Sequence, residues 1–321
     1  MHLRLVIAIL AFTTWGCSSS PHPRELDGDS LGNGFHALTA DLLSSKGTLE
    51  SFAETGPIKF DLQRNVVVQL RRGRSVVLDN IIPRSASPTP LVILVHGNRS
   101  RKEAHRHQAE LLASYGIHAL ALDVPNRNQW LANSVLVKEL VDSIVKSPEK
   151  LGGHIDPHQI ILAGHSFGGS AVTLAASRGA PVLGLILLDP AVFGPEVEVA
   201  MKRVKQPVLL LGADRDIFKS RKRPQFYQSL KGEVLELSVT GATHDDAQLP
   251  SMYALTTYGI DPYTSPKRQS LFAKALVAGA FSLAATGGLD YVAEASDVAL
   301  KVGSLKNPHR RAAANGVRKA E

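Results

Sequence analysis

Ser166 stands in the run Gly164-His165-Ser166-Phe167-Gly168-Gly169. A serine hydroxyl attacks an acyl carbonyl only when a neighbouring base removes its proton, and the base needs a carboxylate to orient it. A Gly-x-Ser-x-Gly pattern supports that chemistry in one setting, a sharp turn from a strand into a helix. There the backbone is strained and the hydroxyl stands clear of the sheet. The apolar run Ile160-Ile161-Leu162-Ala163 precedes this serine and helical spacing from Ser170 to Ser177 follows it. The flanking glycines let strand and helix approach closely, and the Phe167 N–H at the helix start is aimed at an oxyanion. A second match, Gly28-Asp29-Ser30-Leu31-Gly32, follows Pro21-His22-Pro23-Arg24-Glu25, which is no strand.

Acid and base should follow the serine in the order Ser, acid, His. The strand predicted over Pro207–Leu211 runs into Gly212-Ala213-Asp214-Arg215-Asp216, and that over Val234–Val239 runs into Gly241-Ala242-Thr243-His244. Both loops lie at C-terminal strand ends, where open parallel sheets place their sites. His244 is therefore the expected base, with Asp214 or Asp216 behind it. His105 and His107, two apart on a helix, face different ways and do not suggest a shared metal. His154-Ile155-Asp156-Pro157-His158 reads as a turn into the next strand.

The elements that must position these residues alternate. Val66–Leu70 and Val76–Leu78 are β-branched runs joined by Arg71-Arg72-Gly73-Arg74, a hairpin signal. Leu91–Val95 is continuously apolar, as a strand buried on both faces must be, and ends in His96-Gly97-Asn98. Helical spacing over Lys102–Tyr115, a strand over Ala119–Val124 and a helix over Leu131–Val145 follow. Further strands are read at Val182–Leu188, Pro207–Leu211 and Val234–Val239, with a last helix over Pro266–Ala285. This pattern predicts an α/β fold: a mostly parallel sheet covered on both faces, with an antiparallel edge. Lys274 interrupts the apolar stretch of the last helix, which is too short for a membrane span and reads as a core helix.

From about Ile58 to Ala285 the sequence resembles the α/β-hydrolase fold. Gly-Ala-Asp-Arg-Asp and Gly-Ala-Thr-His look like the acid and histidine loops of bacterial cutinases and polyester hydrolases, and more distantly of dienelactone hydrolases. That resemblance implies Asp216 as the catalytic acid. It also implies an oxyanion hole from the N–H groups of Asn98 and Phe167, with His96 structural. Three features depart from the cutinase pattern: Asn98 replaces an aromatic, Phe167 replaces a methionine, and the single cysteine excludes their C-terminal disulfide. Gly-Asp-Ser-Leu at residues 28–31 resembles the signature of the lipase family named for those residues, but its Asp-x-x-His near the C-terminus is missing. Ala191–Gln206 leaves no room for a large lid, so an open cleft is expected, with Trp130, Val192 and Phe193 as candidate walls. The expected activity is carboxylic-ester hydrolysis through an acyl-enzyme, on a small-molecule ester, without cofactor or metal. Fold and triad do not fix the leaving group, so an amidase or acyltransferase is the alternative. A non-catalytic envelope lipoprotein is another.

Composition bounds the rest. The chain has 321 residues, 44% hydrophobic and 20% charged, with net charge +7. Much of the excess lies in short patches without interleaved aromatics, which argues for a solvated surface and against nucleic acid. Residues 1–16 carry Arg4, an apolar run over Leu5–Phe12 and Gly16, and read as a signal peptide. Gly16-Cys17 resembles a bacterial lipoprotein cleavage site, which implies lipidation of Cys17 and a place in the cell envelope, in the outer membrane or periplasm; secretion is the alternative. Residues 17–50 then read as a flexible tether, 51–292 as the catalytic domain, and 293–321 as a basic, loosely ordered tail. A monomer is expected.

Overall fold

The computed structural model describes residues 34–44, 47–52, 55–125, 129–192, 194–215, 223–250 and 264–313. The most apolar run forms the middle of the sheet. β3 (Thr89–Val95) is buried along its whole length. Successive side chains of a strand point to opposite faces. So Leu91, Ile93 and Val95 enter one core layer, while Val92 and Leu94 enter the other.

Among the described residues nine strands make one sheet, in the order β1-β2-β4-β3-β5-β6-β7-β8-β9. The others are β1 (Phe60–Gln69), β2 (Ser75–Pro83), β4 (His118–Asp123), β5 (Ile155–His165), β6 (Gly184–Leu188), β7 (Val208–Ala213), β8 (Val234–Val239) and β9 (Leu305–Arg311). Strands β3 to β8 pair in parallel. The hairpin β1–β2 adds an antiparallel edge, with β2 antiparallel to β4. β9 closes the other edge antiparallel to β8.

Helices cover both faces. α2 (Arg106–Ser114) and α7 (Pro266–Thr286) supply Leu112, Phe272, Leu276 and Phe281 to one layer. α3 (Trp130–Lys146), α4 (Phe167–Ser177), α5 (Pro195–Met201) and α6 (Arg223–Ser229) cover the other, with Leu140, Val172, Val197 and Phe226 inside. α7 is long and apolar enough to cross a membrane by length and composition. Its buried Phe272, Leu276 and Phe281 make it a core helix.

Two predicted segments fold differently from expectation. Part of the predicted tether is a helix, α1 (Gly34–Ser44), followed by a 3-10 turn at Leu49–Ser51. Phe35, Leu49 and Phe52 are buried, and Phe52 packs on Tyr115 at 5.2 Å and on Phe281 at 6.1 Å between ring centroids. Phe35, Leu38 and Leu42 follow the i, i+3, i+7 spacing of a helix, and the buried Phe35, Leu49 and Phe52 together cap the α2–α7 layer. The expected loose tail is ordered from 293 to 313: α8 (Asp290–Ala295), α9 (Asp297–Lys301) and β9. Leu305 is buried against β8, while Arg310 bridges Glu233 and Asp290. Its basic residues are the solvent side of an edge strand, a common way to blunt an edge.

The strand order reverses between β3 and β5, neighbours whose following elements diverge to β4 on one side and β6 on the other. Such a switch point leaves a crevice at the C-terminal strand ends. The loops after β3 and β5 meet there.

Candidate active site

The β5–α4 turn is built as the sequence predicts. Ser166 has φ 53 and ψ −120 at the N-cap of α4. A non-glycine residue at positive φ is strained, and such strain persists where the surroundings enforce it. Here they do: the Ser166 N–H donates to the Leu188 carbonyl at 3.2 Å, and the Ser166 carbonyl accepts from Gly169 and Ala191, each at 3.0 Å. The glycines are steric necessities. A Cβ on Gly164 would reach 2.7 Å from the Gly169 nitrogen, and one on Gly168 would meet the His96 carbonyl at 2.7 Å.

Five described non-glycine residues have positive φ: Asn65, Arg72, Arg99, Ser166 and Asp189. The first two belong to the β1–β2 hairpin region. The other three lie on the loops after β3, β5 and β6, all at the C-terminal end of the sheet. Strain thus collects at one place.

The loop after β3 abuts the serine. A Cβ on Gly97 would stand 2.8 Å from the Ser166 Cβ. His96 fixes this loop: the Val124 N–H donates to its Nε2 at 3.2 Å, leaving Nδ1–H to donate to the Gly97 carbonyl at 2.8 Å. Ser100 ties it to the base loop by donating to Gln248 Oε1 at 3.0 Å. Asn98 lies between these anchors, and its Oδ1 is buried without a hydrogen-bond partner among the described residues.

His244 opens a 3-10 turn (His244–Ala247) after β8. Asp246, fully buried, holds this turn: it accepts from the Thr243 N–H at 2.8 Å, the Ser265 N–H at 2.7 Å and Arg268 Nε at 2.8 Å. The His244 ring is 7% exposed as a residue, and its Nδ1 lies 2.6 Å from Asp189 Oδ2. Asp189 follows β6 at φ 39. It is fully buried. The other carboxylate oxygen accepts the Ala213 N–H at 2.9 Å. Its own N–H donates to the Leu211 carbonyl at 2.6 Å. The Arg223 guanidinium lies 3.9 Å away and rests over Gly212, where any side chain would displace it.

The carboxylate on the histidine is therefore Asp189, a third strand-end aspartate beside Asp214 and Asp216. Asp216, the expected acid, lies outside the described residues. Its rival Asp214 is engaged elsewhere: Oδ2 takes Lys306 Nζ at 2.5 Å and the Gly241 N–H at 3.0 Å. Burial works to raise the Asp214 pKa, but Lys306 and Gly241 outweigh it and hold the carboxyl below its ordinary value. The signal for Asp189 was available in its Ser–Asp–His order and its strand-end position, the same criteria that pointed to Asp214 and Asp216.

Phe167 stacks on Trp130 at 5.0 Å and 27°, and Val192 is buried in the layer with Val197. Phe193 and Cys17 lie outside the described residues. His105 is buried beside Gln108, its Nδ1 2.6 Å from Oε1.

A family model described as the Alpha/beta hydrolase family matches residues 92–305. The chain belongs to that family. Over 103 residues it is 33% identical to a protein named "Putative non-heme haloperoxidase" from Mycobacterium phage D29; the match covers 32% of this chain and 36% of that protein. The chain thus spans little more than a third of that relative's length.

Proposed function

We propose that this protein is a serine hydrolase that cleaves carboxylic esters through an acyl-enzyme, with Ser166 as nucleophile, His244 as base and Asp189 as the orienting acid. The observation that carries the reading is the 2.6 Å contact between a buried carboxylate and Nδ1 of a histidine, at the sheet end where a strained serine caps a helix. With Nδ1–H donated to Asp189, the histidine presents Nε2 as proton acceptor. Nε2 takes the Ser166 proton as the oxygen bonds to the acyl carbon. The carbonyl electrons move to the oxygen, which the N–H groups of Asn98 and Phe167 stabilise. His244 then returns the proton to the leaving alcohol, and water repeats the sequence to release the acid and regenerate Ser166.

Asp189 is suited to this work because it is anchored. Its second oxygen is occupied by a backbone N–H, so the carboxylate cannot rotate away when the histidine becomes cationic. The short α5, Pro195–Met201, is the helix that follows Asp189, in keeping with a cleft that needs no large lid. Esters rather than amides are favoured by the resemblance to ester hydrolases. Hydrolysis of matched p-nitrophenyl esters and anilides tests this: turnover of the anilides at comparable rates would make it an amidase. The haloperoxidase-named relative supports a second reading, peroxide-dependent halogenation; bromination of an activated diketone with peroxide and bromide is its test. For location we propose export and lipid anchoring through Cys17. Cys17→Ala should then release the protein from the membrane fraction, and unchanged fractionation would remove the anchor.

A further inference from the structure

His165, the residue between Gly164 and Ser166, has no role in the account above. It is 2% exposed and closes β5, in register with Leu188, whose next residue is Asp189. Its Nε2–H donates to the His244 backbone carbonyl at 3.1 Å. Its ring lies 4.4 Å from the His244 ring, tilted by 38°. A Cβ on Gly97 would stand 3.1 Å from its Nδ1, so the same ring also abuts the loop bearing Asn98. On another side the edge of His105 approaches at 6.0 Å. One buried side chain therefore touches the serine strand, the oxyanion loop and the base loop.

We infer that His165 is a positioning residue for the base: its hydrogen bond to the His244 carbonyl fixes the main chain from which the catalytic imidazole projects. The inference rests on the triad reading proposed above. The donor matters more than the ring. That hydrogen bond holds the main chain of His244 directly. Asp189 restrains the other end of the same residue through the ring. With main chain and ring both held, the Nε2 direction is set before substrate arrives, which is the preorganisation that proton transfer rewards.

The chemistry predicts an order among substitutions. Glutamine places an amide nitrogen the same number of bonds from Cα as histidine Nε2, so His165→Gln keeps the donor and loses the ring. His165→Phe keeps the ring and loses the donor. The test is the rate at which a fluorophosphonate labels Ser166 in the full chain, since that reaction needs the base but no known substrate. The folded state of each variant is checked by circular dichroism, and His165→Met replaces the phenylalanine variant should the latter not fold. His165→Gln should label within about threefold of wild type and His165→Phe (or Met) about tenfold or more slowly, the size expected of a displaced catalytic group. A purely packing role predicts the reverse order, and equal rates in all variants would also overturn the inference. If wild type itself takes no label at Ser166, the triad reading fails, which is a separate outcome.

Discussion

At Asp189 two features converge that rarely coincide by accident: a fully buried carboxylate and a positive φ of 39. Asp189→Asn should lower kcat by about 10⁴ with little change in fold, because the amide favours the wrong histidine tautomer. Asp216→Asn should leave kcat within a fewfold of wild type. Steady-state kinetics on a chromogenic ester separates the two, and a large loss only in Asp216→Asn would reinstate the acid expected from sequence. Gly97→Ala should slow turnover by about 10²-fold, because its methyl would press on the Ser166 Cβ at 2.8 Å and displace the reacting oxygen. The serine and histidine were legible in the sequence because each sits in a short local pattern. The carboxylate bonded to His244 was not, because three aspartates follow strands between them and residue order cannot choose among these. The choice is made in three dimensions: the chain after β6 crosses the end of β7, where Asp189 bonds Leu211 and Ala213 and so reaches the loop after β8.

The strands of the central sheet were legible because burial on both faces demands continuous apolar runs. The segments before β1 and after α7 were not. Phe35, Leu38 and Leu42 keep a helical spacing, but over only two turns beside a Ser/Pro/Gly-rich stretch, while Phe52 and Leu305 stand singly, so no period reveals those two. They nonetheless contribute to the core. Phe52→Ala should cost about 3–5 kcal/mol of stability, because the ring is fully buried between Tyr115 and Phe281. Chemical denaturation measures this directly. A loss below 1 kcal/mol would mean that the segment before β1 adds little to the fold. By contrast Arg310→Ala, which removes two surface ion pairs, to Glu233 and Asp290, should cost less than about 1 kcal/mol.

Across the whole molecule, acid should unfold the protein through buried histidines. Burial pushes His105 down to about 4 and His118 down to about 3, from 6.5. Both are neutral in the folded protein and become charged in the unfolded chain below pH 6.5. The unfolded state then binds more protons, so stability is constant above that pH and falls as pH drops through the window from 6.5 to 4 for His105 and to 3 for His118. Each contributes about 2 kcal/mol of lost stability at pH 5. His118→Gln should flatten the stability profile between pH 6.5 and 5, and an unchanged slope would show that other groups drive acid unfolding. The fold and the site together make one claim, that a strained serine, a histidine and Asp189 act as a unit at the sheet's switch point. Its most direct test is mass spectrometry of fluorophosphonate-treated protein, comparing wild type with Ser166→Ala and Asp189→Asn. A single adduct on the Ser166 peptide, absent in Ser166→Ala and formed far more slowly in Asp189→Asn, is the predicted result. Folded wild-type protein that takes no adduct, or labelling that is indifferent to Asp189, would contradict it.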